Sequence, residues 1–312
     1  MHSEEIKFME MGPVVPIVPF YNLNEDLCEE QLSSYIDFLI KGGLKIFMTT
    51  IGTSQFNLLN LAETRHFNLI CSKKIKDYFI LGIPPLSLKH ALEEVIFYNN
   101  VLSDNRKTFL LLFYPDRFYN FDNILEYFYE IANVSQFPIL IHGMPMRHGL
   151  GGNYNYDHNL INCLAQHKNI VGIKEESPSF DLGFDLCQKI ENKDFITIVA
   201  GKSQRRFLSL FSSGAKTFLT GIGNIFPKIA VEFYDSIINN DLEKASLFVK
   251  DFETPFFNVF MDVGWHKALR YAIELIGFNT GNRKPFPICS IKEKKIIEDI
   301  VFKIQKERDL NG

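Results

Sequence analysis

Short apolar runs recur along the chain at nearly even intervals: Val14–Val18, Ile46–Met48, Tyr78–Leu81, Phe109–Leu112, Ile139–Ile141, Ile170–Ile173, Ile196–Val199 and Thr217–Leu219. Most are continuous rather than alternating and are bounded by turn residues, which is the pattern of strands buried on both faces. Helical periodicity lies between them. Leu32, Tyr35, Ile36, Phe38, Leu39 and Ile40 make an amphipathic stripe that stops at Gly42-Gly43. Leu88, Ala91, Leu92, Val95 and Ile96 line a second helix face, and Ile124, Tyr127, Phe128, Ile131 and Ala132 a third.

The first six strand starts, Val14, Ile46, Tyr78, Phe109, Ile139 and Ile170, are separated by 32, 32, 31, 30 and 31 residues. That spacing suits one strand and one crossover helix. Eight such units predict an α/β protein, a (β/α)8 TIM barrel with a C-terminal helical extension. An open doubly wound sheet is the alternative, but no strand is followed by G-x-G-x-x-G. After Gly221 the pattern turns wholly helical: Ile225–Asn239 closes the barrel, and Leu242–Phe260, Gly264–Gly277 and Lys292–Leu310 follow. The expected organisation is a barrel over residues 1–239 and an extension over 240–312 packed on it, with no linker between.

Composition narrows the picture. The 312 residues are 46% hydrophobic and 22% charged, ordinary for a globular enzyme. Phe occurs 30 times and Trp once, so Phe is read as core packing that needs no hydrogen-bond partner. The net charge is -4 and the basic residues are dispersed, which argues against a nucleic-acid partner. The charged stretch Lys292 to Arg308 reads as a solvated helix face. Residues Met1 to Met11 carry Glu4, Glu5 and Glu10 without an apolar core, and no run is long enough to span a membrane, so neither a secretory signal nor a membrane partner is expected. Five cysteines, an odd number with no CxxC pair, suggest reduced thiols and a cytoplasmic location.

In such barrels chemistry sits at the C-terminal ends of the strands, which makes position a filter. Lys174 follows the apolar run Ile170–Ile173 and precedes Glu175-Glu176. An apolar wall strips water from the amine, disfavours the ammonium, and leaves a nucleophile that can form an imine with a carbonyl. The plainer reading is a salt bridge to Glu175 or to a carboxylate on a nearby strand. Gly52-Thr53-Ser54-Gln55, after the second strand, offers backbone N–H and hydroxyl donors suited to a carboxylate, though many loops hold such residues. His142 ends the fifth strand, where an imidazole can move protons near neutral pH. Arg147, five residues on, can clamp a carboxylate through two N–H groups or serve an ion pair.

These segments resemble the dihydrodipicolinate synthase / N-acetylneuraminate lyase family of class I aldolase-type lyases. The resemblance runs from about Gly12 to Pro287. Ile170-Val171-Gly172-Ile173-Lys174-Glu175 resembles the family's Schiff-base segment, and Val18-Pro19-Phe20 its Thr-Pro-Phe on strand one. Pro145, Arg147 and Gly149 match the loop after strand five, and Gly221-Ile222-Gly223-Asn224 falls where strand eight closes. The resemblance implies that Lys174 forms an imine with pyruvate or a related 2-oxo acid. It further implies that Gly52, Thr53, Ser54, Gln55, Arg147 and Gly221 bind substrate, with no cofactor and no metal. It implies a homo-oligomer, dimer or tetramer, in which a Tyr after strand four (Tyr114, or Tyr119 as fallback) reaches a neighbour's site.

Three departures change the chemistry. The family's Gly-Thr-Thr-Gly-Glu becomes Gly52-Thr53-Ser54-Gln55 before Phe56, one residue shorter and with Gln55 in place of the acid. The family's proton-relaying Tyr on strand five aligns with His142. The stretch Leu150 to Tyr156 lengthens the following loop. The synthase reaction itself is therefore not assigned. The expected function is a Schiff-base-forming lyase or aldolase acting on a 2-oxo acid, with Lys174, His142 and Tyr114 as catalytic residues. A non-catalytic relative that binds a 2-oxo acid is the main alternative. A metal-dependent aldolase or hydrolase with His142, His148 and Glu175 as ligands is the other, and no tight ligand spacing supports it.

Overall fold

The computed structural model describes residues 12–102, 107–113, 120–143, 158–177, 179–201 and 203–311. Eight strands occur: β1 (Val14–Pro16), β2 (Ile46–Met48), β3 (Tyr78–Ile83), β4 (Thr108–Phe113), β5 (Ile139–Gly143), β6 (Ile170–Glu175), β7 (Ile196–Val199) and β8 (Thr217–Phe218). They form one sheet in chain order, and each is followed by a helix, as parallel pairing requires. This is the (β/α)8 barrel, with the helical extension after it.

Two details differ from the sequence pattern. β5 and β6 run past their apolar runs to Gly143 and Glu175, so His142 and Lys174 lie inside strands. Backbone pairing continues through a polar residue when its side chain has a partner on the inner face. The single helix expected over Leu242–Phe260 is instead Leu242–Phe248 and Thr254–Val263, separated by a π-helical turn at Val249–Glu253. Pro255 explains the break: it offers no N–H, and its ring presses on the carbonyl four residues back, which a wider turn relieves.

The chain's contacts gather residues 77–219 into one compact unit and residues 12–76 with 220–312 into another. In the first, β3 to β8 are buried from end to end except at Tyr78, as continuous apolar runs require. Phe207 packs edge-on to Phe211 and tilted against Phe218, the packing role expected of Phe. The β5–β6 pairing contains an irregularity: Ile139 pairs with Ile170, but Leu140 pairs with Gly172, so β6 gains one residue. Beyond it His142 stands opposite Lys174. Glycine is needed at 172, because a Cβ there would sit 2.5 Å from the Ile196 carbonyl oxygen.

In the second unit, Phe20, Tyr35, Phe38 and Phe278 form an aromatic cluster. The buried Tyr35 hydroxyl donates to Asn224 Oδ1 at 2.7 Å. After β8, the Thr220 N–H donates to the Val14 carbonyl of β1 at 2.7 Å. The helix Trp265–Leu275 of the extension is tied to the loops after β1 and β2 by Arg270, which donates to the Pro19 carbonyl at 2.9 Å and to Gln55 Oε1 at 3.3 Å.

Candidate active site

Three neighbouring strands carry the site in the first unit. Phe113 on β4 pairs with His142 on β5, which pairs with Lys174 on β6. Paired residues of a parallel sheet face the same way, so the three side chains meet. The rings of Phe113 and His142 lie 4.3 Å apart. Lys174 Nζ lies 2.9 Å from His142 Nε2. Both are buried, His142 completely and Lys174 to 2% exposure.

An isolated ammonium in such a place carries a desolvation penalty of several kcal/mol. Glu176, one residue past β6, provides the counter-charge: its Oε2 forms a close ion pair with Lys174 Nζ and lies 3.7 Å from His142 Nε2. Its side chain is 27% exposed, the most open of the cluster. Burial alone would raise the Glu176 carboxyl, but the Lys174 ammonium foremost, with the hydrogen bond from Lys174 and the nearby His142, outweighs it and holds the group at about 2. Gly201, just after β7 and at φ +61, presents its backbone to Glu176, with an ideal Cβ position 3.6 Å from Glu176 Cγ. Carboxylate, imidazole and amine thus share one small volume. If His142 carries its proton on Nδ1, Nε2 can take a proton from Nζ and leave a nucleophilic amine.

Glu175 turns the other way. Its Oε2 pairs with Arg206 Nη2 at 2.8 Å, and its Oε1 accepts from the Ser177 N–H at 2.7 Å and from the Ser177 hydroxyl. Arg206 also donates to the Ser177 carbonyl at 2.9 Å, fixing the turn that follows Lys174. The salt bridge read from the sequence for Lys174 and Glu175 is therefore corrected: Lys174 pairs with Glu176, because side chains alternate along a strand and Glu175 faces the helices. Of the alternative metal-ligand set His142, His148 and Glu175, Glu175 is paired with Arg206 at 2.8 Å. His148 lies outside the described residues, as do Tyr114, Tyr119 and Arg147.

The loop after β2 is described within the second unit. Gly52 needs no glycine by space, since a Cβ there would meet nothing within 4 Å. Thr53 Oγ1 accepts from the Trp265 indole N–H at 3.3 Å. Ser54 is fully buried, and its hydroxyl has no hydrogen-bond partner among the described residues. Gln55, at φ 53, is turned to Arg270. Gly221 packs against Trp265, whose ring carbon would lie 2.3 Å from a Cβ there. Sequence reasoning passed over Thr49 and Thr50, whose hydroxyls donate to Asn68 Oδ1 at 2.7 and 2.9 Å. Thr50 also holds a left-handed φ of 53, a strained state for a β-branched residue. It also passed over Glu176. Period-two alternation was the available signal, since it puts residue 176, not 175, on the side of Lys174.

The model of the dihydrodipicolinate synthetase family matches residues 113–304, a span that contains β5, β6 and the whole lysine cluster. The chain belongs to this family. It is 26% identical over 314 residues to the 4-hydroxy-tetrahydrodipicolinate synthase of Methanosphaera stadtmanae, covering 97% of this chain and 99% of that one. It is 29% identical over 244 residues to the synthase of that name from Hydrogenobaculum, covering 76% and 79%. Among solved structures, it resembles a prophage protein of the dihydrodipicolinic acid synthase family from E. coli K12 in complex with pyruvate. That match has a TM-score of 0.83 at 16% identity over 94% of this chain and 98% of that one. The dihydrodipicolinate synthase of Thermotoga maritima matches with a TM-score of 0.81 at 18% identity over 94% and 98%. Membership in the dihydrodipicolinate synthetase family supports an enzyme of the aldolase-type lyase class.

Proposed function

We propose that the protein is an aldolase-type lyase that joins Lys174 to pyruvate or a related 2-oxo acid as a Schiff base. The observation that carries this reading is the buried lysine with an imidazole nitrogen 2.9 Å from its amine. It is supported by the relatives' names and by the similarly folded E. coli protein, which was solved with pyruvate. The amine adds to the keto carbon, the carbonyl oxygen leaves as water, and the protonated imine draws electrons from the neighbouring carbon. His142 takes the proton-transfer role that the resemblance gives to a tyrosine. The substrate carboxylate is assigned to Thr53 and Ser54, a choice favoured by the buried Ser54 hydroxyl, which has no hydrogen-bond partner among the described residues. Arg147 is assigned to a carboxylate and Tyr114 to a neighbouring subunit's site in a dimer or tetramer, both on the resemblance. The synthase reaction of the named relatives is not assigned, because the strand-two acid and the tyrosine are replaced.

The test is borohydride reduction in the presence of pyruvate. It should add a reduced pyruvyl group at Lys174 and nowhere else, and Lys174→Ala should give no adduct. An adduct on another lysine, or none with a panel of 2-oxo acids, removes the proposal. An adduct without aldol or lyase turnover identifies a binding protein instead. His142→Ala should still trap pyruvate but lose about 10²–10⁴-fold in turnover, the usual contribution of a general acid–base.

A further inference from the structure

We propose that Glu176 is a catalytic residue of the imine site: its carboxylate stays ionised beside Nζ and holds the nitrogen's positive charge from ammonium to iminium, leaving His142 to carry the protons. This rests on the Schiff-base reading of Lys174. Neither the family resemblance nor the imine chemistry by itself assigns a role to residue 176.

An ammonium carries three protons on nitrogen and one positive charge. Condensation with a ketone yields an iminium with one proton on nitrogen, the same single charge, and one water. Two protons must therefore travel from Nζ to the departing oxygen, while the net charge at nitrogen is unchanged at the two ends. A carrier is needed for the protons and a fixed anion for the charge. Among the described residues, one group suits each task. His142 Nε2, 2.9 Å from Nζ, can accept and return a proton. Glu176 Oε2 sits in close ion pair with Nζ.

The alternatives around Nζ are few. The titratable groups against Glu176 among the described residues are Lys174 on its own segment and His142 on β5. Just after β7, the Gly201 backbone lies against its side chain. Glu175, the other carboxylate beside the lysine, is neutralised by Arg206 on the opposite face of the strand. In a site of this burial a charge pair is weakly screened, so removing the anion weakens every cationic state of the nitrogen. Its low proton affinity beside a cation also fits a spectator anion better than a proton carrier. A purely structural Glu176 would pin the resting lysine and have no bearing on the adduct.

The test compares wild type, Glu176→Gln and Glu176→Asp by borohydride labelling with pyruvate, read by mass spectrometry across the pH range on both sides of neutrality. Glu176→Gln should need about tenfold or more pyruvate for half-maximal labelling, because the iminium loses its anion. The alkaline limit of its labelling should move to lower pH, since the iminium proton is held less firmly. Glu176→Asp should recover most of both effects. Wild-type labelling with an unchanged Glu176→Gln profile overturns this assignment and leaves the Schiff-base reading standing. No label in wild type overturns both. A measurement on the unsubstituted protein covers variants that do not fold: infrared difference spectra of protein labelled with 13C-carboxyl glutamate, with and without pyruvate. A shifted carboxylate band with no protonated-carboxyl band is expected. A new protonated-carboxyl band would make Glu176 a proton carrier and sink the proposal.

Discussion

Gly183→Ala offers a sharp check on the network beneath the lysine, because two effects of known size oppose each other there. Gly183 lies inside the helix Phe180–Lys189, where alanine is favoured over glycine by about 0.8–1.0 kcal/mol. Yet a Cβ at that position would fall 2.6 Å from Arg206 Nη2 and 3.1 Å from Glu175 Oε2. The guanidinium is the far end of a flexible side chain, but it is held by Glu175 at 2.8 Å and by the Ser177 carbonyl at 2.9 Å. Displacing it forfeits a charge-assisted hydrogen bond worth about 1.5–3 kcal/mol. The net is a loss of about 0.5–2 kcal/mol, a fall of a few degrees in Tm. In an Arg206→Ala background the nearest obstacle is gone and Glu175 is free to yield. There the same substitution should be neutral or stabilising by up to about 1 kcal/mol. A double-mutant cycle by calorimetry or circular dichroism measures the difference. If Gly183→Ala stabilises the wild type by about 1 kcal/mol, the Arg206–Glu175 pair does not lie against this face of the helix.

Two further substitutions probe the frame around the site. Gly172→Ala would drive a Cβ to 2.5 Å from the Ile196 carbonyl oxygen and 2.7 Å from Ile196 Cβ, where backbone cannot easily give. It should destabilise by about 1–3 kcal/mol and reduce pyruvate labelling at Lys174 by disturbing the β6 register, and an unaltered Tm with full labelling would refute this. At the helix Leu61–Lys74, Asn60 and Glu63 form a capping box with both bonds at 2.9 Å, and Glu63 also pairs with Arg283 at 2.7 Å. Burial opposes ionisation of Glu63, but Arg283 and the Asn60 N–H prevail and keep its carboxyl below the ordinary range. A depressed folded value means that the stabilisation is complete above the ordinary carboxylate range and disappears as pH falls through the depressed value. Glu63→Gln should therefore lower Tm at neutral pH and converge with wild type in acid, and a pH-independent difference in Tm would contradict it.

The strand–helix repeat and the position of Lys174 were legible because burial writes itself into composition. A strand covered on both faces must be continuously apolar, and a lysine interrupting that rule at a strand end stands out. His142 was legible for the same reason. Linear reading put the His142 ring near Lys174 at the barrel mouth, but it did not reach the register that pairs the two. Counted residue by residue from the Ile139–Ile170 pair, His142 would stand opposite Ile173. The extra residue that β6 gains at Val171–Gly172 shifts the register by one, and only then does His142 face Lys174. A one-residue slip sends a side chain to the other face, and no local pattern of apolar residues encodes it. The choice between two adjacent glutamates, by contrast, is local, because period-two alternation puts residue 176 on the side of Lys174. Glu175 and Glu176 are equivalent in composition, but the strand turns one toward Arg206 and leaves the other beside the amine. Sequence determined which residues could do chemistry, since residue type and burial are local. The register between strands, a property of distant segments, decided which of them touch.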